Sequence, residues 1–323
     1  MNIVVTGSIA YDYIMSFPGY FRDHFLPDKA TDSINLSFLV DHMVRRRGGV
    51  ASNIAYSLGL LGERPLLMGT VGQDFGEYRA WLDAHGVDTS AVRQYDDLFT
   101  ASYFCNIDQA HNQIASFYNG AMARAGELSL YDLDARAIEL VVISPNDPAA
   151  MQRYVRECKE SGLPYLYDVS WQIVRLSDEA LHDGIAGCHT LVVNEYEFEL
   201  IRSRTGWGED DILDRADTLI VTLGERGSVI HTREARYHIP AVPPLRQVDP
   251  IGVGDGYRAG LLKGLALGLG WESAGRVAGL AATYVLENDG PQGHRYTLAE
   301  FAERFGQHFD DVAALERLMV RVA

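Results

Sequence analysis

The chain is short of basic residues and has no long apolar run, and each shortage excludes a class of protein. Its 28 Lys and Arg residues are outnumbered by 44 Asp and Glu residues, which gives a formal net charge of −16 at pH 7. Because a surface of that sign repels a phosphate backbone, we expect no nucleic-acid partner. No apolar segment approaches the roughly 18 residues that a transmembrane helix needs, so we expect no association with a membrane.

Cysteine is also scarce. The three cysteines lie far apart, at Cys105, Cys158 and Cys188, and their odd number and spacing predict neither a disulfide framework nor a zinc site. The first residues enter an apolar, strand-like segment directly, without the basic region and cleavage site that are typical of a secretion signal. We therefore predict a cytoplasmic protein.

Short β-branched runs alternate with helix-length amphipathic segments, a pattern typical of a doubly wound parallel sheet covered by helices. Strands are predicted at residues 2–7, 66–70, 139–144, 164–168, 190–194 and 218–222, and helices at 51–61, 75–85 and 148–161. From residue 254 onward the chain is predicted to be helical, through residues 254–269, 271–287 and 298–308 to a final amphipathic stretch that ends at Val322. No repeat, low-complexity segment or linker divides the sequence, so we predict one α/β domain over residues 1–323.

Two stretches break this pattern. Residues 34–40 alternate strictly between the two sides of a strand, and residues 100–107 with 113–118 read as a hairpin. Half-polar antiparallel strands do not belong inside a doubly wound sheet. We predict that they form a small β-sheet lid, inserted at about residues 11–47 and 98–120, that covers a site. A sheet extension without a function is the alternative.

The most informative segment is residues 249–260, which carries Gly252, Gly254 and Gly256 just before and within the start of a predicted helix. Glycines let the backbone approach a ligand closely, and the free amides and dipole of a helix N-terminus attract an anion. Asp255 at this position is either a helix cap or a general base that accepts a hydroxyl proton beside a phosphate. The segment alone does not decide between these roles.

Two common nucleotide-binding motifs are excluded. The glycines at 252–256 follow no strongly apolar strand, have the wrong spacing and precede no βαβ unit, so they do not form a dinucleotide fingerprint. The sequence Gly-x4-Gly-Lys-Ser/Thr of the P-loop is absent from the chain. If the protein uses ATP, it does so without a P-loop.

Four further segments carry polar residues at turns where strands end or helices begin. They are residues 7–12, with Asp12 after the first strand, residues 47–53, with paired glycines before a helix, residues 194–197, and residues 222–228. Asn194 and Glu197 are three apart on one helix face, which suits a hydrated Mg²⁺. Each segment alone also fits an ordinary turn or cap. All four in this order favour a functional interpretation.

Together these segments resemble the ribokinase-type carbohydrate kinases, the PfkB family, over essentially the whole chain. The paired-glycine signature of that family matches residues 48–53, its Asn-x-x-Glu motif residues 194–197, and its Asp-Thr-x-Gly-x-Gly-Asp signature residues 249–255. Within the family, residues 5–10, 36–41, 113–118, 146–151 and 205–207 are most similar to bacterial adenosine kinases of the mycobacterial type. The resemblance implies a ribokinase-like three-layer α/β/α fold with a mostly parallel sheet, and a homodimer held through the lid.

The resemblance also implies an activity and a role for each matching residue. The activity is phosphorylation of the adenosine 5′-hydroxyl by ATP and Mg²⁺, with Asp255 as the base. The amides of Gly252, Val253 and Gly254 stabilise the transferred phosphoryl group, and Glu197, with Asn194, organises the Mg²⁺ waters. The residues implied to contact ATP are Asn194, Thr222, Gly224, Arg226, Gly227, Ser228 and Gly254.

On the substrate side, the resemblance implies that Asp12 binds the ribose hydroxyls and that Tyr103 and Phe117 sandwich the purine. The other residues implied to contact the nucleoside are Ser8, Ser37, Gly49, Asn53, Gln172 and Arg175. Family members often bind a monovalent cation near the residue that matches Asp249, so K⁺ is a further candidate cofactor. The chain departs from the family signature at Pro250 and Ile251, which remove hydroxyl groups from the approach to the anion site.

Three alternatives stay open at this point. The first is a kinase for another nucleoside or for a free sugar such as ribose or fructose, which has less need for two aromatic residues on the lid. The second is a catalytically silent nucleoside sensor, against which the presence of Asp255 argues. The third, a nicotinamide-dependent oxidoreductase, has little support because the dinucleotide fingerprint is missing.

Overall fold

The computed structural model describes residues 1–24 and 36–320. The strands are β1 Ile3–Thr6, β2 Ala10–Ser16, β3 His42–Gly48, β4 Leu66–Gly72, β5 Val92–Tyr95, β6 Ala101–Ile107, β7 Gln113–Tyr118, β8 Leu140–Ile143, β9 Tyr165–Tyr167, β10 Thr190–Asn194, β11 Thr218–Thr222, β12 Ser228–Thr232 and β13 Arg236–Ile239. The helices are α1 Val50–Leu60, α2 Gly76–Ala84, α3 Pro148–Ser161, α4 Asp178–Ile185, α5 Glu195–Thr205, α6 Glu209–Leu213, α7 Val253–Ala266, α8 Trp271–Leu286, α9 Leu298–His308 and α10 Val312–Val320.

Nine strands form one large sheet in the order β13-β12-β11-β10-β9-β8-β1-β4-β5. The seven strands from β11 to β5 are parallel, and β12 and β13 complete one edge in antiparallel pairing. Central strands such as β1 and β8 are buried along their whole length, which explains their continuous β-branched sequences. All six predicted strands coincide with strands of this sheet, and the predicted fold class is confirmed.

Helices cover both faces of the sheet because successive side chains of a strand point to opposite sides. Val5 of β1 belongs to a core shared with α1, α2, α7 and α8, whereas the adjacent Val4 belongs to a core shared with α3 to α6. A third cluster packs α9 and α10 against α8. Among these helices of the described residues, none combines the length and apolar character that crossing a bilayer requires.

Four strands form a second, smaller sheet in the order β3-β2-β6-β7. The pairs β2–β3 and β6–β7 are antiparallel, and the pair β2–β6 is parallel. The predicted hairpin at 100–107 and 113–118 corresponds to β6 and β7. This small sheet is called the lid below.

The prediction of a strand at residues 34–40 is wrong. Residues 34 and 35 lie outside the described residues, and residues 36–40 have no regular secondary structure; the strand is His42–Gly48. One of the alternating residues, Phe38, belongs to an aromatic cluster, in which its ring lies 5.1 Å from that of Phe17 and 4.9 Å from that of Phe21. The actual strand carries three consecutive arginines, residues 45–47, which no hydrophobic pattern marks as a strand.

Helices α7 and α8 pack unusually closely, and glycine makes this possible. A Cβ atom placed on Gly260 would lie 2.7 Å from the Ala278 Cα atom and 2.7 Å from the Val277 carbonyl oxygen, both of which are backbone atoms. Gly264 meets the backbone of Ala274 in the same way, at 2.6 Å. The position of α7, and therefore of its N-terminus at residues 252–255, depends on this contact.

We expect Gly260→Ala to lower the free energy of unfolding by about 1–3 kcal/mol, because the added methyl group forces two backbones apart. Urea unfolding followed by circular dichroism measures the change. Gly76→Ala at the start of α2 is the matched control, since a Cβ there meets nothing within 4 Å, and it should leave stability unchanged or slightly higher. Equal stability of the two variants would contradict this account of the helix contact.

Candidate active site

The N-terminus of α7 is built by a turn that only glycine accommodates. Gly252, the residue that precedes the helix, has a φ of 82°, and a Cβ atom on it would lie 2.5 Å from the Pro291 Cβ atom. No side chain caps the helix. The first amides of α7 are therefore left open to a ligand, as the sequence predicted for residues 252–254.

Three backbone amides at the start of α7 have no acceptor among the described residues: those of Gly252, Gly254 and Asp255. The Val253 amide differs from the prediction, because it points to the Pro250 carbonyl oxygen at 3.4 Å. Unpaired amides at a helix N-terminus, reinforced by the helix dipole, form a binding site for a phosphate oxygen. The geometry places this anion site directly beside the Asp255 carboxylate.

The Asp255 side chain does not cap its own helix. Its Oδ2 atom accepts a hydrogen bond of 2.8 Å from Nδ2 of Asn53, which lies in the first turn of α1. Burial raises the pKa of Asp255 to about 6, while Arg258 and the hydrogen bond from Asn53 act to lower it. A carboxylate with a pKa in this range is charged at neutral pH and can still accept a proton, which suits a general base.

A buried arginine, which sequence reasoning missed, supports the same turn. Arg258 donates a hydrogen bond of 2.6 Å to Asp168 Oδ1 and another of 2.9 Å to the Gly254 carbonyl oxygen. Burial acts to lower the pKa of Arg258, but Asp168, Asp255 and Glu197 together raise it, so the guanidinium stays charged. It offsets the negative charge that collects behind the anion site and anchors the first turn of α7 to the end of β9.

The lid contributes one row of side chains to the site. Cross-strand pairing aligns Arg46 of β3 with Asp12 of β2, Asp12 with Tyr103 of β6, and Tyr103 with Phe117 of β7. Burial raises the pKa of Asp12 to about 6, with Arg46 opposing the shift and Asp249 adding to it. Tyr103 and Phe117 are direct neighbours on one face, so they form one wall of the site and not the two sides of a sandwich.

A cavity of about 630 Å³ lies between the lid and the N-termini of α1 and α7. This volume is typical of a small-molecule site. The residues that line it are Ser8, Ala10, Asp12, Gly49, Val50, Asn53, Tyr103, Phe117, Asn119, Trp171, Arg175, Ile251, Gly252 and Asp255. A third aromatic ring in the lining, that of Trp171, lies next to Phe117, with the two ring centroids 6.0 Å apart. We call this space the acceptor cavity.

Two residues predicted on the substrate side lie elsewhere. Ser37 is exposed in the segment without regular structure and does not line the acceptor cavity. Gln172 is fully buried, and its amide donates to the Asn146 carbonyl oxygen instead of facing the cavity. Its neighbour Trp171 takes the cavity-lining position, because the short 3₁₀ turn Ser170–Val174 directs adjacent side chains to different sides.

A second cavity, of about 700 Å³, lies on the other side of the α7 N-terminus. Its lining includes the predicted Thr222, Gly224, Gly227, Ser228 and Gly254, together with Val253, Tyr257 and an apolar set from residues 239–286. We call it the donor cavity. Arg226 and Asn194 are not part of its lining; Arg226 instead forms an exposed ion pair of 2.8 Å with Glu195.

Asn194 and Glu197 form a capping box at the start of α5. Asn194 Oδ1 accepts from the Glu197 amide, and Glu197 Oε2 accepts from the Asn194 amide, both at 2.8 Å. Glu197 Oε1 has no hydrogen-bond donor among the described residues, and these residues contain no group of three metal-ligating side chains. A Mg²⁺ ion retains several waters and binds substrate phosphates, so one buried carboxylate is a suitable second-sphere partner. The site fits a hydrated Mg²⁺ that is held mainly by a nucleotide.

The surroundings of Asp249 do not fit a monovalent cation bound to its carboxylate. Asp249 Oδ2 accepts from Arg46 Nη1 at 3.0 Å and from the Gly290 amide at 3.1 Å, and Oδ1 accepts from the Ile251 amide at 2.9 Å. The guanidinium already supplies the positive charge there. Through Asp249, Arg46 ties the lid to the turn that precedes α7, and through Asp289 it ties the lid to the loop that follows α8.

The fold and the site together define a sugar-type kinase without a P-loop. Residues 4–296 match the pfkB family of carbohydrate kinases. The chain therefore belongs to this family, as the sequence signatures predicted.

Comparison with individual proteins refines the class. The nucleoside kinase of Burkholderia thailandensis, solved in complex with inosine, is 38% identical, and the match covers 95% of this chain and 98% of that one with a TM-score of 0.84. The nucleoside kinase of Methanocaldococcus jannaschii is 29% identical over 95% of this chain and 97% of its own length. The ribokinase of Thermotoga maritima, 18% identical with a TM-score of 0.78 over 95% of this chain and 99% of that one, shares the fold.

The Burkholderia thailandensis and Methanocaldococcus jannaschii proteins are described as nucleoside kinases and not specifically as adenosine kinases. They support the family and the general class that the resemblance implied. Adenosine as the substrate stays a prediction.

The site predicts an acid limb in the pH–rate profile. The base must be deprotonated, and because burial raises the pKa of Asp255 to about 6, we expect kcat/KM to fall as the pH drops through 6. The raised pKa of Asp12, also about 6, adds a second proton to the same limb. Initial rates between pH 5 and pH 8 should show a limb steeper than one proton in the wild type and a single-proton limb in Asp12→Asn. A flat profile down to pH 5 would contradict the assignment.

Proposed function

We propose that this protein is an ATP-dependent nucleoside kinase that phosphorylates the 5′-hydroxyl of a purine nucleoside. The observation that carries the proposal is the meeting of two cavities at one helix N-terminus. The acceptor cavity contains Asp12, aromatic walls and Asp255, and the donor cavity contains the glycine turn at residues 224–227. The free amides of α7 lie between them, where a phosphoryl group crosses from donor to acceptor.

The acceptor cavity suits a nucleoside better than a free sugar. Asp12 provides a carboxylate that accepts hydrogen bonds from two adjacent ribose hydroxyls. Beyond it, Tyr103 and Phe117 on the lid and Trp171 beside Phe117 offer flat apolar surfaces to a base. A free pentose fills only the polar end of such a cavity and leaves the aromatic end in contact with water.

The chemistry asks for positioning and for one proton acceptor. Asp255 takes the proton as the 5′-oxygen forms its bond to the γ-phosphorus, the bond from that phosphorus to the β–γ bridging oxygen breaks, and ADP leaves. The amides of Gly252, Gly254 and Asp255 donate hydrogen bonds to the equatorial oxygens of the phosphoryl group during transfer. Mg²⁺, when bound with the nucleotide, neutralises charge on the β- and γ-phosphates. Arg258 holds the amide turn in place from behind.

Two nucleosides are candidates for the substrate within this class. Adenosine is the nucleoside implied by the sequence resemblance to bacterial adenosine kinases. Inosine is the second candidate, because the 38% identical Burkholderia thailandensis kinase was solved with inosine and with ADP-inosine. The cavity wall includes Asn119, whose amide can face either purine edge because it both donates and accepts.

We also propose a cytoplasmic homodimer joined through the lid. Every residue of β7 is exposed, including the large side chains of Ile114, Phe117 and Tyr118. An exposed apolar edge strand is a liability that pairing with a second copy removes. Light scattering of the purified protein should give twice the monomer mass of 35.8 kDa, and a monomer at micromolar concentration would contradict the proposal.

Asp255→Asn is expected to reduce kcat by about 10²–10⁴-fold, since it removes the proton acceptor and keeps the side-chain shape. Nucleoside binding, measured by calorimetry, should change little. The control is Asp210→Asn on the exposed surface of α6, which should keep full activity. Wild-type turnover by Asp255→Asn would rule out the proposed base.

A substrate panel tests the class of acceptor. ADP release with adenosine, inosine, guanosine, cytidine, ribose and fructose should be fastest with the purine nucleosides, with adenosine first. Phe117→Ala should raise the KM for nucleosides several-fold and leave the KM for ATP unchanged, because Phe117 lines the acceptor cavity and not the donor cavity. Faster turnover of ribose than of every nucleoside would overturn the proposal.

A further inference from the structure

A chain of side-chain amides, buried behind the acceptor cavity, leads to the proposed base. Nε2 of Gln292 donates to Oδ1 of Asn53 at 2.9 Å, and Nδ2 of Asn53 donates to Oδ2 of Asp255 at 2.8 Å. At its far end, Nε1 of Trp81 donates to Oε1 of Gln292 at 3.2 Å. Gln292 is buried and does not line either cavity, so it cannot contact a substrate there.

The direction of this chain is fixed by chemistry at its far end. An indole N–H is a donor and never an acceptor, so Gln292 must turn its carbonyl oxygen toward Trp81. Its NH₂ group then faces Asn53, which must present its own oxygen to Gln292 and its NH₂ group to Asp255. The second hydrogen of Gln292 Nε2 goes to the hydroxyl of Tyr78, which itself donates to the Gly48 carbonyl oxygen at 2.9 Å.

We propose that Gln292, oriented by the indole N–H of Trp81, is a positioning residue that makes Asn53 donate, and not accept, a hydrogen bond at Asp255. The inference rests on the proposed role of Asp255 as a base. With the opposite amide orientation, an oxygen of Asn53 would face an oxygen of Asp255, which favours the protonated carboxyl group and so disables the base. We call the hydrogen-bonded series Trp81, Gln292 and Asn53 the relay. The relay keeps the buried Asp255 carboxylate charged and leaves its other oxygen for the acceptor cavity.

Other charged groups also act on Asp255, and the relay is separable from them. They are Arg258 on α7, Asp12 on β2, Glu197 on α5 and Asp168 after β9. Gln292 and Trp81 hydrogen bond to none of these four residues in the described structure. Substitutions in the relay therefore change the orientation of Asn53 and leave these charges where they are.

Three variants test the relay. An ionised glutamate in Gln292→Glu still accepts from Trp81 but cannot donate to Asn53, so Asn53 must reverse. We expect the acid limb of kcat/KM to move up by at least about one pH unit, because the added negative charge acts in the same direction as the lost hydrogen bond to the carboxylate. Gln292→Met and Trp81→Phe add no charge and leave the amide of Asn53 without a fixed direction. We expect them to reduce kcat at pH 7 about tenfold, a fraction of the roughly 10²–10⁴-fold effect of a positioned base.

The controls separate orientation from folding. Phe at position 81 keeps the ring that lies under the Arg47 and Arg295 guanidinium groups and removes only the N–H. Trp207→Phe, a tryptophan far from both cavities that stacks on His182, should keep the wild-type profile. Thermal unfolding identifies any variant that is merely destabilised. Folded Gln292→Glu and Trp81→Phe proteins with the wild-type limb and the wild-type kcat would overturn the relay.

A measurement that needs no turnover distinguishes failure of the relay from failure of the kinase proposal. Carboxyl ¹³C NMR titration, with Asp255→Asn for assignment, reports the pKa of Asp255 directly. A higher pKa in Gln292→Met and in Trp81→Phe, neither of which adds a charge, than in the wild type supports the relay even if no nucleoside is phosphorylated. An unchanged pKa in an active wild-type kinase and its folded variants refutes the relay and leaves the proposed function intact.

Discussion

The site depends on the placement of one negative charge, the Asp255 carboxylate, beside backbone amides that must bind a second one, a phosphate. Asp255 lies in the first turn of α7, whose open N-terminus attracts anions, and it is buried enough that its pKa is raised. Without compensation, a buried carboxylate next to a phosphate site would be protonated or would repel the phosphate. The structure supplies compensation from two directions, through the Asn53 amide and through the Arg258 guanidinium.

Both supporting groups come from distant parts of the fold, which explains why the large sheet and the lid are needed around a simple reaction. Asn53 enters from α1, which follows the lid strand β3, and Arg46 of that strand is hydrogen-bonded to the turn before α7. Arg258 ties the first turn of α7 to Asp168 at the end of β9. Hydrogen bonds thus join the lid, the acceptor cavity and the anion site into one unit around Asp255.

The arrangement also explains how a chain with a net charge of −16 can hold a polyanionic nucleotide. The attraction is local and comes from oriented backbone amides and one buried guanidinium. No cluster of surface lysines is required. Acidic surface charge and phosphate chemistry are therefore compatible, whereas the same charge argues against binding a long phosphate backbone.

Much of the fold follows from local sequence patterns. Buried parallel strands need continuous β-branched runs, and the six predicted strands were found at their expected places. The prediction of a strand failed at residues 34–40, where Phe38 belongs to an aromatic cluster. It missed β3 because the three arginines of that strand are paired with carboxylates and form no apolar side. Asp12, Asn53, Tyr103, Phe117 and Asp255 were brought to one cavity. The sequence marked Gln172 as a lining residue, but a 3₁₀ turn placed Trp171 there.

The sequence by itself determined six strands of the large sheet, the lid hairpin, most helices and the glycines that open the N-terminus of α7, because these features depend on periodicity and on backbone freedom within a few residues. Only the tertiary structure decided which side chains meet. Gln292 and Asn53 are 239 residues apart, and Arg258 and Asp168 are 90 apart. Such contacts are set by how helices pack on the sheet, and no local pattern records the direction in which a distant amide or guanidinium will point.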